Sequence, residues 1–243
     1  MTGTDTVPRT TLGWMEAGTS LLFERVTALG DAELDGPTRL PGWTRRHLLA
    51  HIGANAHALG RLAHWARTGE RTPMYAGPEA RTEEIEQGAA LGSRELRAFV
   101  RDSASELSGD LRSLPDDRWG AEVTTAQGRT VPARVIPWMR CREVWVHAVD
   151  LDNGAAFGDF PPDLLDALIS DVTGEWTRRG QGPALVLRPE DRDREWPVET
   201  GDRPAVAVTG RAADLASWLT GRGAGGVRPA EEAAPLPALG RWL

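Results

Sequence analysis

The sequence predicts an α+β chain: an N-terminal four-helix bundle followed by a small C-terminal α/β domain. Three observations carry this. Apolar residues recur at helical spacing through most of residues 8–150. The composition then changes at a Gly-, Pro- and Phe-bearing linker after Asp152. Beyond the linker, short apolar runs of strand length alternate with helical patterns. The 243 residues are accordingly divided into 1–152 and 153–243.

Taken in order, Leu12, Met15, Leu21, Leu22, Val26 and Leu29 mark a first helix from Pro8 to Leu29, which Gly30-Asp31 and Gly36-Pro37 end. Thr44 suits the N-cap of a long helix from Arg45 to about Thr68, because a threonine oxygen can accept from the unpaired N–H groups of a first turn. Gly69 to Gly77 reads as a loop. From Pro78 onward, Ile85, Leu91, Leu96, Val100, Leu107 and Leu111 line one side of a third helix. Gly88 and Gly92 weaken it enough to allow a break, and Leu114-Pro115 stop it. Trp119 to Val131 reads as a hairpin-like excursion. Pro132 is expected to start the fourth helix, irregular at Pro137 and ending near Asp150.

In the second domain, Leu164, Leu165, Leu168, Val172 and Trp176 predict a helix from Asp163 to Arg179. Ala184–Leu187 and Ala205–Val208 have the length and apolar character of buried strands, and Glu195–Thr200 offers a third. Leu215, Trp218 and Leu219 predict a helix from Arg211 to Gly221. Gly223 to Leu239, rich in Pro, Gly and Ala, reads as coil.

Composition narrows the function classes. The net charge of -7 gives no general case for nucleic-acid or membrane binding. All 28 basic residues are arginine, so no lysine can form a Schiff base or hold a nucleotide phosphate. One cysteine, Cys141, excludes an internal disulfide. No apolar run approaches the roughly 20 residues of a membrane span. Met1 to Asp5 lacks the pattern of a signal peptide, so a cytoplasmic location is expected.

The chemistry concentrates at Arg142-Glu143-Val144-Trp145-Val146-His147. Glu143 and His147 stand four apart and share one helix face. A carboxylate and an imidazole both ligate divalent metals such as zinc. Trp145, Val146 and Val149 make this helix largely buried, where a carboxylate needs a counter-charge. The only histidine-rich stretch elsewhere runs from His47 to His64. At about 100° per residue, His57 and His64 face away from His51, whereas His47 lies near it in azimuth but at the exposed start of the helix. His51, well inside the helix, is therefore the expected third ligand, leaving one metal position open. Cys141 falls on another side of its helix and reads as a core filler rather than a nucleophile. Asn55 and Asp150 are candidate outer partners of the metal ligands.

Leu40-Pro41-Gly42-Trp43-Thr44 leading into His47-Leu48-Leu49-Ala50-His51, with Ile136-Pro137-Trp138, Arg142-Glu143-Val144 and His147-Ala148-Val149-Asp150-Leu151, resembles the mycothiol-dependent maleylpyruvate isomerase family of actinobacteria. The resemblance implies a DinB-like four-helix bundle, a metal triad on His51, Glu143 and His147, and mycothiol as the source of a catalytic thiol. It implies cis–trans isomerisation of maleylpyruvate or a similar unsaturated diacid: thiolate addition to the cis double bond, rotation and elimination. A dianionic substrate calls for arginine clamps, and Arg81 and Arg222 are the candidates. Trp43 and Trp138 could shape the pocket. A mycothiol S-transferase with the same metal, and a non-catalytic metal- or thiol-sensing module, are the competing readings. The expected partners are a small-molecule substrate and a low-molecular-weight thiol; oligomeric state is left open.

Overall fold

A computed structural model describes residues 7–201, 204–231, 235–240 and 242. The reading of Met1 to Asp5, and that of residues 232–234 within the tail, lie outside the described residues. Contacts divide the chain into two compact units, Met1–Ala155 and Ala156–Leu243.

The first unit is a helical bundle. Helix α1 (Arg9–Ala28) packs on α5 (Ile136–Asp150), α5 on α2 (Arg45–Thr68), α2 on α4 (Ser93–Arg112), and α4 returns to α1; α3 (Ala80–Ala89) flanks α2. Helix α2 is central: 14 of its 24 residues are buried, more than one face, so its alanines and glycines admit neighbours on several sides. Gly53 is one such point, since a methyl group there would lie 2.3 Å from the Phe99 ring of α4. Gly18 plays the same part between α1 and α5, where a methyl group would meet Trp145 at 2.5 Å. Leu22, Leu48, Ile52, Leu59, Leu96 and Val144 are fully buried in the core.

The break allowed in the third helix is present, and two further details, at Pro132 and Pro137, differ from expectation. The third helix is two, α3 and α4, separated around Leu91-Gly92. Gly88 stays within α3 because it packs tightly on Ala50, where a Cβ would come to 2.8 Å. Pro132 closes a strand rather than starting a helix: β1 (Glu122–Thr124) pairs antiparallel with β2 (Thr130–Pro132), Val123 opposite Val131. A short 3-10 turn, Ala133–Val135, then leads into α5. Pro137 lies in the first turn of α5, where its missing N–H forfeits no helical bond, so it causes no irregularity.

Two arginine contacts set the helices that carry the site. Arg45, first in α2, donates from Nε to Leu151 O (2.8 Å) and from Nη2 to Asp152 O (3.2 Å), so the start of α2 caps the end of α5. Arg140 in α5 donates from Nη1 to Ile52 O (2.8 Å) and Asn55 Oδ1 (2.9 Å) in α2.

The second unit holds α6 (Pro162–Arg179), β3 (Leu185–Pro189), β4 (Trp196–Val198), β5 (Val206–Gly210), α7 (Ala212–Leu219) and β6 (Arg228–Pro229). The sheet order is β4-β3-β5-β6; β3 and β5 are parallel and the other pairs antiparallel. Leu185 and Leu187 point inward and are fully buried. Trp196 donates from Nε1 to Ser170 Oγ (2.7 Å), tying β4 to α6. The tail expected as coil contributes β6, a two-residue pairing too short to leave any periodicity in the sequence. Among the described residues, no helix is long and apolar enough to cross a membrane.

Candidate metal centre

Arg140, Glu143, His147 and Asp150 recur at intervals of three, four and three along α5, so they form one polar stripe on a buried helix. His51 and Asn55, one turn apart on α2, face it. The two helices thus meet along a polar seam within an apolar bundle.

At its centre, His51 Nε2 lies 2.9 Å from Glu143 Oε2 and His147 Nε2 lies 3.1 Å from the same oxygen. The imidazole centroids are 5.1 Å apart and nearly perpendicular. One ligand atom from each residue falls within 4.8 Å of the others, the one such group of possible metal ligands among the described residues. Two imidazoles and a carboxylate, convergent and spaced like this, can hold a divalent cation with a fourth position left open. The Glu143 side chain retains 21% exposure against 6% for His51, so the cluster opens to solvent on the Glu143 side.

The outer contacts orient these groups. Asp150, with no side-chain exposure, places Oδ2 2.8 Å from His147 Nδ1. Burial opposes the charged form of His147, but hydrogen bonds to Asp150 and Glu143 outweigh it and raise the imidazole's pKa. At Glu143 burial again opposes charge; His51 and His147 together prevail and hold the carboxyl well below the usual carboxylate range. His51 goes the other way: desolvation outweighs Glu143 and lowers its pKa. Trp43 packs edge-on against the His51 ring, 5.5 Å between centroids, whereas Trp138 packs on Trp14 at 6.3 Å.

Of the expected residues, His51, Glu143 and His147 come together, and Arg81 joins them from the first turn of α3, with Nη2 3.4 Å from His51 Nδ1. Arg222 lies in the second unit, just after α7, where Nη1 donates to Thr220 O (2.5 Å). Asn55 accepts from Arg140 rather than serving a metal ligand directly. His47 is occupied near the helix start, its Nδ1 bonded to Thr44. Cys141 is buried and its thiol is pushed up to about 12 by desolvation, which leaves it inert at neutral pH.

Two residues escaped the sequence reading. Tyr75, the chain's single tyrosine, lies in the loop before α3; burial raises its pKa, and it hydrogen-bonds Arg81. A lone aromatic in a polar loop carries no periodic signal. Arg140 was legible in principle, standing one turn before Glu143 on the same face.

Comparison with known proteins agrees with this architecture. Residues 15–152 match the family model of the mycothiol maleylpyruvate isomerase N-terminal domain, and residues 159–241 match that of the MDMPI C-terminal domain. A crystal structure of the mycothiol-dependent maleylpyruvate isomerase is 42% identical, with a TM-score of 0.90 over 98% of this chain and 99% of that one. A histidine-to-alanine mutant of a mycothiol-dependent maleylpyruvate isomerase matches with the same figures. No protein of curated function matches the chain significantly. The helical bundle and the small sheet domain that follows it in sequence each match their own family model, and the chain belongs to the mycothiol maleylpyruvate isomerase family.

Proposed function

We propose that this chain converts maleylpyruvate, or a closely similar unsaturated diacid, to the trans isomer as a metal- and mycothiol-dependent cytoplasmic enzyme. The observation that carries the reading is the convergence of His51, Glu143 and His147 within a chain so similar throughout to a mycothiol-dependent maleylpyruvate isomerase. These three residues would hold the metal, and zinc suits the donor set best. When bound, the metal would lower the pKa of a coordinated thiol, and mycothiol would supply the thiolate that adds to the cis double bond and leaves after rotation.

The chain's own groups prepare for this. Asp150 accepts from His147 Nδ1–H, which orients the ring so that Nε2, beside Glu143, would face a bound metal once its proton is lost. Arg81 can only donate, so its contact with His51 Nδ1 puts the His51 proton on Nε2, facing Glu143. With Nε2 as a metal ligand, the His51 proton would sit on Nδ1, facing a second donor in Arg81. The exposed fork of Arg81 would then be free to meet a substrate carboxylate. Tyr75, kept protonated, is a neutral donor beside that fork. Arg222 is proposed as the second carboxylate clamp, on the ground that a dianion calls for two cations.

The test is to measure metal content and then isomerisation of maleylpyruvate with and without mycothiol. Metal-dependent turnover that requires the thiol is expected. Turnover without the thiol would remove the proposed nucleophile, and bound metal with no turnover of this substrate would point to an S-transferase.

A further inference from the structure

Among the described residues of the bundle core, Arg140 is a charged residue that neither the metal triad, with its partner Asp150, nor the substrate clamps explain. It is 1% exposed, and among the described residues no carboxylate is within ion-pair distance of it. Among the described residues its two hydrogen bonds, to Ile52 O and Asn55 Oδ1, both leave from Nη1, while Nη2 is buried with no partner there. A neutral amide could make bonds like these. Burying a guanidinium without an anion is costly, so the charge itself calls for a role.

Its place suggests one. Arg140 stands one turn before Glu143 on the same stripe, and it is pinned to α2 beside His51. Glu143 is the charged neighbour that favours its protonated form, although burial pulls the guanidinium down to about 10. At a divalent cation, Glu143 and Asp150 would balance the metal's charge. Arg140 then leaves the interior one positive charge in excess, in a medium that screens poorly. Arg81 adds another, but it is exposed and screened by water.

We propose that Arg140 is an electrostatic positioning residue for the metal centre: a fixed buried cation that makes the open metal position prefer an anion over a neutral ligand. This rests on the reading that His51, Glu143 and His147 hold a metal. A thiolate is such an anion and a neutral thiol is not, so the same charge would favour the reactive form of the cofactor. A merely structural arginine would instead change the binding of every ligand alike.

The experiment uses the full chain loaded with Co2+, whose visible absorption reports the fourth ligand, and titrates azide as the anion and imidazole as the neutral probe. At roughly 10 Å and an effective dielectric near roughly 20, one charge is worth about tenfold in affinity. Arg140→Met is expected to weaken azide about tenfold, leave imidazole unchanged and not weaken Co2+ binding. Arg140→Lys is expected to restore azide affinity. Should Arg140→Met fail to fold, Arg140→Gln, which keeps an amide donor for Ile52 O, makes the same measurement. Equal losses for azide and imidazole, or a lysine variant as impaired as the neutral one, would overturn the proposal. A wild-type protein that takes up no Co2+ would overturn the metal reading itself, and this inference with it.

Discussion

Replacing Asp150 by Asn tests whether the metal centre depends on the residues behind its ligands. The carboxylate is fully buried and accepts from His147 Nδ1 at 2.8 Å. Asparagine is nearly isosteric and its Oδ1 can still accept, so the geometry survives while the charge disappears. A hydrogen bond to an ionised partner contributes roughly 1.5–3 kcal/mol and a neutral one roughly 0.5–1.5 kcal/mol, leaving a loss of about 1–2 kcal/mol. That corresponds to about 5- to 30-fold weaker metal binding, in the range expected for outer partners of metal-ligating histidines. A second effect opposes it. Asp150 is among the groups that raise the pKa of His147, so the substitution also lowers the proton's hold on the ring. The loss is therefore expected to be full at a higher pH, above the raised pKa of His147, where the ring is neutral in both proteins, and smaller at a lower pH, below it, where the wild type must first release a proton. Competition with a chromophoric zinc chelator at both pH values measures this. Equal affinity for wild type and variant at the higher pH would refute the argument. So would a loss that grows as the pH falls.

His51→Ala and His147→Ala are expected to lose metal while far-UV circular dichroism keeps its helical signal; full metal occupancy in either variant would count against the triad. For the metal-free protein, Glu143 has a depressed folded-state pKa, so its contribution to stability is present above the usual carboxylate range and lost as pH falls through the depressed value. The melting-temperature difference between wild type and Glu143→Gln should accordingly shrink on acidification, and a pH-independent difference would contradict it. Gly18→Ala forces a methyl group against Trp145 and Val144. Overpacking of roughly 1–3 kcal/mol should outweigh the gain in helix propensity of up to about 1 kcal/mol, giving a lower midpoint in urea. Cys141, buried with its thiol pushed up to about 12, should not react with Ellman's reagent in the native protein, and Cys141→Ala should keep thiol-dependent turnover.

The helices are legible in the sequence because each buries a continuous apolar stripe. The stretch from Arg45 to Thr68 is a helix with those bounds, with Thr44 as its N-cap residue, the hydroxyl turned to the His47 ring and not to a first-turn N–H, and Gly69 in a left-handed conformation closing the other end. Gly88 shows where such reasoning stops. It weakens a helix by propensity, yet it stays inside α3 because only a glycine fits against Ala50. Pro132 shows the same: a proline reads equally as a helix start or as the end of a strand, and the pairing with Glu122 decides.

Local chain physics determined that Glu143 and His147 share one face, since four residues make one turn whatever surrounds them. It also determined that His51 lies deep in a helix and that Cys141 points elsewhere than Glu143. Only the tertiary structure decided that His51 and Glu143 meet, because 92 residues separate them and their 2.9 Å contact depends on how α2 crosses α5. The same crossing pins Arg140 between the two helices, and the packing of α3 on α2 brings Arg81, with Tyr75 bonded to it, beside His51. A side chain's angle around its own helix is a property of the sequence; which helix it then faces is settled by packing.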